Sequence, residues 1–406
     1  MGALSHLKVV DLSRVLAGPW ASQILADMGA TVWKIEHPRG GDDTRSWGPP
    51  YLADADGNAT SESAYYLSTN RNKQSLTIDI AKPEGQRLVR GLVAQADILI
   101  ENFKVGGLAK YGLDYASLAA LNPRLIYCSI TGFGQTGPYA MRPGYDVLLQ
   151  AMGGYMSVTG RRAGEPGAGP QKVGVAVIDL LTGLYASSGI LGALASREQT
   201  GEGQHIDLAL LDVEVACLAN QGMNYLVSGS APQAMGNAHP NIVPYQDFPT
   251  SDGTMIVAVG NDEQFRRFIT ELGRPELADD PRYANNAARV AHRAALLAVI
   301  AERTVTRSTA QWVVALEAVN VPCGPVNDIA DVFADPQVMA RGLRREIEHP
   351  LAGVAPTVAS PLRFSGTPVT YRNAPPLLGA DTDAVLASAL GLTEEALVAL
   401  HADGVI

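Results

Sequence analysis

From Leu7 to Thr131 the chain alternates short β-branched runs with longer amphipathic ones, and this rhythm predicts an open, mainly parallel sheet. Leu7–Leu12 reads as a strand. Pro19–Met28 reads as a helix with proline at its opening and Gly29 at its close, and Thr31–Glu36 as a second strand. The pattern repeats with a strand over 75–80, a helix over 83–96, a strand over 97–101, a short helix over 115–121 and a strand over 124–131. Composition shifts after Ser228. There a hairpin over 248–259, turning at Asp252-Gly253, is followed by helices over 264–272, 286–304 and 308–319 and by the Pro-rich Val321-Pro-Cys-Gly-Pro-Val326. The expected domains are therefore a discontinuous large α/β domain, 1–227 with 327–406, and a small α+β domain, 228–326.

One carboxylate stands alone in an apolar run. Between Lys172 and Arg197 the single charged residue is Asp179, and 179–196 predicts a buried helix from the spacing of Leu180, Leu184, Leu191 and Leu194. Burying an unpaired carboxylate costs several kcal/mol, so Asp179 calls for a return. The plain return is helix capping, a role Asp favours. Capping is compatible with chemistry, because helix-start amides would hold the carboxylate ionised, as a nucleophile requires.

Bulk numbers exclude several classes. A net charge of −10 disfavours nonspecific nucleic-acid binding. Cys128, Cys217 and Cys323 are far apart and lack CxxC spacing, which predicts neither a disulfide framework nor a zinc site, and no other cluster suggests a metal. The first residues lack a secretory pattern, and the apolar run near 173–195 is broken by Asp179, Thr182, Ser187, Ser188 and four glycines. The expected setting is the cytoplasm, away from a membrane.

Gly132-Phe-Gly134-Gln-Thr-Gly137 matches the dinucleotide fingerprint, but Pro138 and Pro143 follow it where an amphipathic helix should open. A turn-rich loop beside a ligand cleft is the better reading. Arg14, Arg39, Arg71, Lys73 and Lys110 lie near the ends of early strands, where open parallel sheets bind ligands. Each could instead be ordinary solvated charge.

Together these segments resemble the class III coenzyme A transferases (CaiB/BaiF-like), a family that includes the α-methylacyl-CoA racemases. The resemblance spans the chain. It rests on Asp11-Leu-Ser-Arg-Val-Leu-Ala-Gly-Pro19, Asn70-Arg-Asn-Lys73, Glu101-Asn-Phe103, Gly144-Tyr-Asp-Val147, the Asp179 segment, Gly236-Asn-Ala-His-Pro240 and Val321-Pro-Cys-Gly-Pro-Val326. It implies a large Rossmann-like open-sheet domain with a smaller α+β domain, in an interlocked homodimer of ring-like subunits. It places the family's active aspartate at Asp179. It implies that CoA is bound by Arg14, Val15, Leu16, Ala17, Arg39, Lys73, Asn102, Phe103, Lys110 and Tyr111, with acyl-CoA a substrate and no prosthetic group. The racemase branch carries His in the motif that here reads Gly144-Tyr145-Asp146-Val147. Tyr, with a pKa near ~10, is a poor base at neutral pH, so transfer is favoured over epimerisation. The stretches Gly40–Pro50, Tyr65–Lys73 and Ile242–Gln246 bring the chain nearest to the succinate/glutarate (hydroxymethylglutarate) CoA-transferase branch. That implies a succinyl-CoA donor and a small dicarboxylic acceptor. Tyr65 and Tyr145 are then candidates to orient a carboxylate, Arg71 and His239 to meet its far end, and the Gly236–His239 loop to stabilise an oxyanion.

Overall fold

The computed structural model describes residues 2–406, which divide into two compact units. The first comprises 2–155, 172–230 and 337–406, and the second comprises 156–171 and 231–336. The segment 156–171 thus belongs with the second unit, although it precedes the apolar helix.

The first unit is built on six parallel strands: β1 (Lys8–Asp11), β2 (Thr31–Glu36), β3 (Lys73–Thr77), β4 (Ile98–Glu101), β5 (Ile126–Thr131) and β6 (His205–Ala209), in the order β3-β2-β1-β4-β5-β6. Successive residues on each strand face opposite sides. Val10, Trp33, Leu99 and Tyr127 pack on one side against Leu88 and Leu92 of the Pro83–Val93 helix and Leu386 of the Thr382–Leu390 helix. Val9, Val32, Ile98 and Cys128 pack on the other side against Ala21 and Leu25 of the Ala17–Asp27 helix and Ile190 of the Val177–Thr200 helix. Cover on both faces explains why the central strands carry apolar side chains on both sides, as in Val9-Val10 and Ile98-Leu99-Ile100. The C-terminal segment is tied into this unit, with Asn72 N donating to Asn373 O and Asp79 N to Val405 O.

The Val177–Thr200 helix, 24 residues long, is by length and composition apolar enough to cross a membrane. Its buried residues, Ile178, Thr182, Ala186, Ile190, Ala193 and Arg197 among them, recur at helical spacing and form the face laid on the sheet.

In the second unit Tyr245–Pro249, Thr254–Ala258 and Cys323–Pro325 form a three-stranded antiparallel sheet. Asp252 stands at the turn and accepts from Thr309 N at 2.8 Å. Phe248, Met255, Phe265, Phe268, Leu296 and Trp312 form its core. The single helix expected over 286–304 is two, Asn286–Ala291 and Arg293–Thr304, with His292 between them at φ −108° and ψ 24°. Cys128 is buried, whereas Cys217 and Cys323 are only partly covered.

Candidate active site

The sheet order reverses between β1 and β4, and open sheets of this kind bind ligands outside the carboxyl ends of their strands at that point. A cleft of about 450 Å³ lies there. The loops leaving the two strands are clamped together: Arg14 N donates to Asn102 Oδ1 at 2.9 Å, and Asn102 Nδ2 donates to Arg14 O at 2.7 Å. The exposed Arg14 guanidinium lies 5.7 Å from the Phe103 ring centre and pairs with Asp43 at 3.1 Å. Lys110 Nζ lies 4.6 Å from the Tyr111 ring centre.

The β1 loop holds a strained residue. Val15 has φ +72°, a region that β-branched side chains rarely enter. Its N–H reaches Asp42 at 3.2 and 3.3 Å, and Asp42 takes the Lys34 ammonium at 2.8 Å with both side chains fully buried. Burial alone would raise the Asp42 carboxyl, but the Lys34 charge and the Thr44 donors outweigh it and hold it at about 2. A buried ion pair thus anchors the loop in its conformation.

Asp179 lines the same cleft. It is not a cap. The helix starts at Val177, which places Asp179 in the first turn, and the acceptor for the helix-start amides comes from Asp146. Asp146 Oδ1 receives Ile178 N at 2.8 Å and Asp179 N at 3.3 Å. The amides expected to hold Asp179 ionised are therefore turned to another carboxylate. The shift runs upward instead: burial, and then the Asp146 charge, push the Asp179 carboxyl up to about 7.

Arg14, Val15, Leu16, Ala17, Asn102, Phe103, Lys110 and Tyr111 all line the cleft with Asp179 and Tyr145. Tyr145 is 62% exposed and immediately precedes the Asp146–Met152 helix. Tyr65 packs edge-on against Trp47, and burial followed by the Asp179 charge pushes its phenol up to about 12, so it too stands near Asp179.

Other expected residues lie elsewhere. Lys73 is a correction: its fully buried ammonium bonds Asn70 Oδ1 at 2.8 Å, Pro19 O at 3.0 Å and Asp11 at 3.3 Å, so it braces the interior rather than facing a phosphate. Arg71 is another: it is buried, clamps Asp27 through two nitrogens at 2.9 and 2.5 Å, and donates from the third to Thr357 Oγ1 and Val358 O, so it braces the interior. Arg39 is exposed and outside the cleft lining. Gly236 and His239 belong to the second unit, where Gly236 N donates to Gly160 O and His239 packs on Tyr245.

Sequence reasoning missed Asp146 as a functional residue and missed the Lys34–Asp42 pair. The signal for Asp146 was present, since it is a second carboxylate opening a helix directly after the Pro-rich loop over 138–144. Among the described residues no group of three or more His, Cys, Asp or Glu side chains is placed to hold a metal.

A doubly covered parallel sheet, with a basic cleft at its switch point and a partly buried carboxylate in the cleft wall, makes an α/β fold whose cleft suits an anionic ligand. The family model for CoA-transferase family III matches residues 4–382, and the chain belongs to that family. It is 56% identical over 384 residues to the succinate–glutarate CoA-transferase of Agrobacterium fabrum, covering 95% of each chain. It is 41% identical to the human succinyl-CoA:glutarate CoA-transferase, over 99% of this chain and 90% of that one. A crystal structure of a CaiB/BaiF family protein from Brucella suis superposes with a TM-score of 0.83 at 52% identity, covering 96% of this chain and 99% of that one. The protein is a class III CoA-transferase.

Proposed function

We propose that this enzyme moves CoA from succinyl-CoA to a small dicarboxylic acid such as glutarate, with Asp179 as the nucleophile. The observation that carries the reading is Asp179 in the wall of the switch-point cleft, with Arg14 and Lys110 in the same lining. Those cations suit the phosphates of CoA. The names of the relatives support both the donor and the acceptor class.

The chemistry runs through covalent intermediates. An Asp179 oxygen attacks the thioester carbon, the C–S bond breaks, and the CoA thiolate leaves behind an acyl–aspartyl anhydride. The thiolate attacks the aspartyl carbonyl, releasing succinate with an oxygen from Asp179 and leaving an aspartyl–CoA thioester. The acceptor carboxylate then attacks that thioester, and the thiolate returns to the acceptor carbonyl. Anhydrides hydrolyse, so the site must exclude water, and the buried Ile178, Ala17 and Leu210 beside the cleft suit that demand. Tyr145, where a racemase needs a base, favours transfer over epimerisation.

The active form we propose is the interlocked homodimer. Leu184, Tyr185, Val215, Met223, Tyr225, Leu226 and Val227 are exposed along 184–227, the last two at 74% and 80%. Apolar exposure on that scale marks a contact surface, and a second copy would cover it.

Succinyl-CoA incubated with glutarate should yield glutaryl-CoA by chromatography, and Asp179→Ala should abolish the product while acyl-CoA binding persists. In a single turnover with ¹⁸O-labelled glutarate, label should enter Asp179. Normal turnover by the alanine variant would end the proposal.

A further inference from the structure

The Asp146–Met152 helix touches the Asp179 segment at two points. Asp146 Oδ1 takes the amides of Ile178 and Asp179. Gln150, fully buried one turn further on, donates to Asp146 Oδ2 at 2.6 Å and accepts Val173 N at 2.8 Å. The stretch 173–179 is thereby pinned at both ends by one short helix whose preceding residue, Tyr145, lines the cleft.

We propose that Asp146 is a positioning residue for the transfer reaction: its carboxylate fixes the backbone of the turn that carries Asp179, and its negative charge crowds that nucleophile. This inference rests on the function proposed above. Burial raises the Asp179 carboxyl first, and the charge that adds to it is that of Asp146. The other groups nearby do not cancel it. Tyr65 faces Asp179 as a neutral phenol, and Glu214, from the Leu210–Cys217 helix, is itself raised to about 7 by burial and, less strongly, by the Asp146 charge. Arg14, Lys110, Arg142 and Asp43 stand elsewhere in the cleft lining. The cost of crowding two carboxylates returns as reactivity, because a carboxylate with raised proton affinity is the stronger nucleophile once ionised.

Asp146→Asn keeps an oxygen for the two amides and removes the charge. The acid limb of kcat/KM should move down by roughly one pH unit, the scale of a close like-charge effect, and the plateau rate at pH 8 should fall several-fold, because the less basic carboxylate is the weaker nucleophile. Asp146→Ala removes the acceptor as well, and kcat should fall tenfold or more, a size typical of a displaced reacting group, while KM for acyl-CoA changes little. If the asparagine variant fails to fold, Asp146→Ser provides an uncharged acceptor. A readout free of turnover is the ¹³C carboxyl resonance of Asp179 in aspartate-labelled protein, assigned by its loss in Asp179→Asn. Its titration midpoint should move down in Asp146→Asn alongside the rate profile. An unmoved midpoint overturns the proposal. A moved midpoint with an unmoved rate profile would leave Asp146 acting on Asp179 but refute Asp179 as the reacting group, and with it the function proposed above.

Discussion

Replacing Asp179 by Asn should abolish activity and make the protein more stable, and the gain should depend on pH. In the folded chain the carboxyl is raised from its ordinary 3.8 to about 7 by burial and by Asp146. Between those two values the folded state binds a proton that the unfolded state has released, so wild-type stability falls as pH rises through the window. The rise spans roughly three pH units, and each corresponds to about 1.4 kcal/mol, which sets a ceiling of about 4 kcal/mol. Asp179 is partly exposed in the cleft, so solvent screens part of this, and about 2 kcal/mol is the expected gain. Asn carries no charge, so Asp179→Asn escapes the whole penalty. Urea unfolding of ligand-free wild type and variant should show the full gap at pH 8, a clearly smaller one at pH 5 and only a small remainder at pH 4. A variant no more stable than wild type at pH 8, or a gap of constant size across that range, would refute the electrostatic reading of the site.

Two further substitutions separate bracing from binding. Arg71→Ala leaves Asp27 buried without its clamp and should cost about 3–5 kcal/mol in urea unfolding; a mild effect on stability with a large rise in acceptor KM would return Arg71 to the substrate site. Asn102→Ala removes both hydrogen bonds that join the β1 and β4 loops. KM for succinyl-CoA should rise several-fold with kcat nearly unchanged, as expected when binding is lost uniformly; steady-state kinetics with an unaltered KM would show that the clamp does not shape the CoA cleft.

Where interactions are local, the sequence read well. The strand Thr31–Glu36 and the helix Tyr115–Leu121 fall where periodicity placed them. The Gly132–Gly137 loop leads into no helix before Asp146. Arg14 follows from where strands end in an open sheet; Val15 to Ala17, Asn102 and Phe103 are what the family resemblance implies, and all of them line the cleft. Small hairpins such as Tyr51–Ala53 with Ala59–Ser63 escaped notice because three- and five-residue strands carry too few side chains to show alternation.

The errors share a cause. Lys73 and Arg71 resembled phosphate or carboxylate binders because the acids that neutralise them, Asp11 and Asp27, lie 62 and 44 residues away in the chain. A buried pair and a solvated cation look identical in sequence, and only the fold decides which of the two a basic residue is. Asp179 presents the converse. In the chain it is a lone charge with no carboxylate nearby, and that isolation singled it out. In space Asp146, 33 residues earlier, stands at its own amide. A lone buried carboxylate needs a partner to stay ionised; this one meets a second acid, which makes ionisation harder still. Such a neighbour lowers stability, the trade expected where a side chain is held for reactivity. Isolation in the sequence marked the residue; in the structure burial first, and then Asp146, raises its carboxyl.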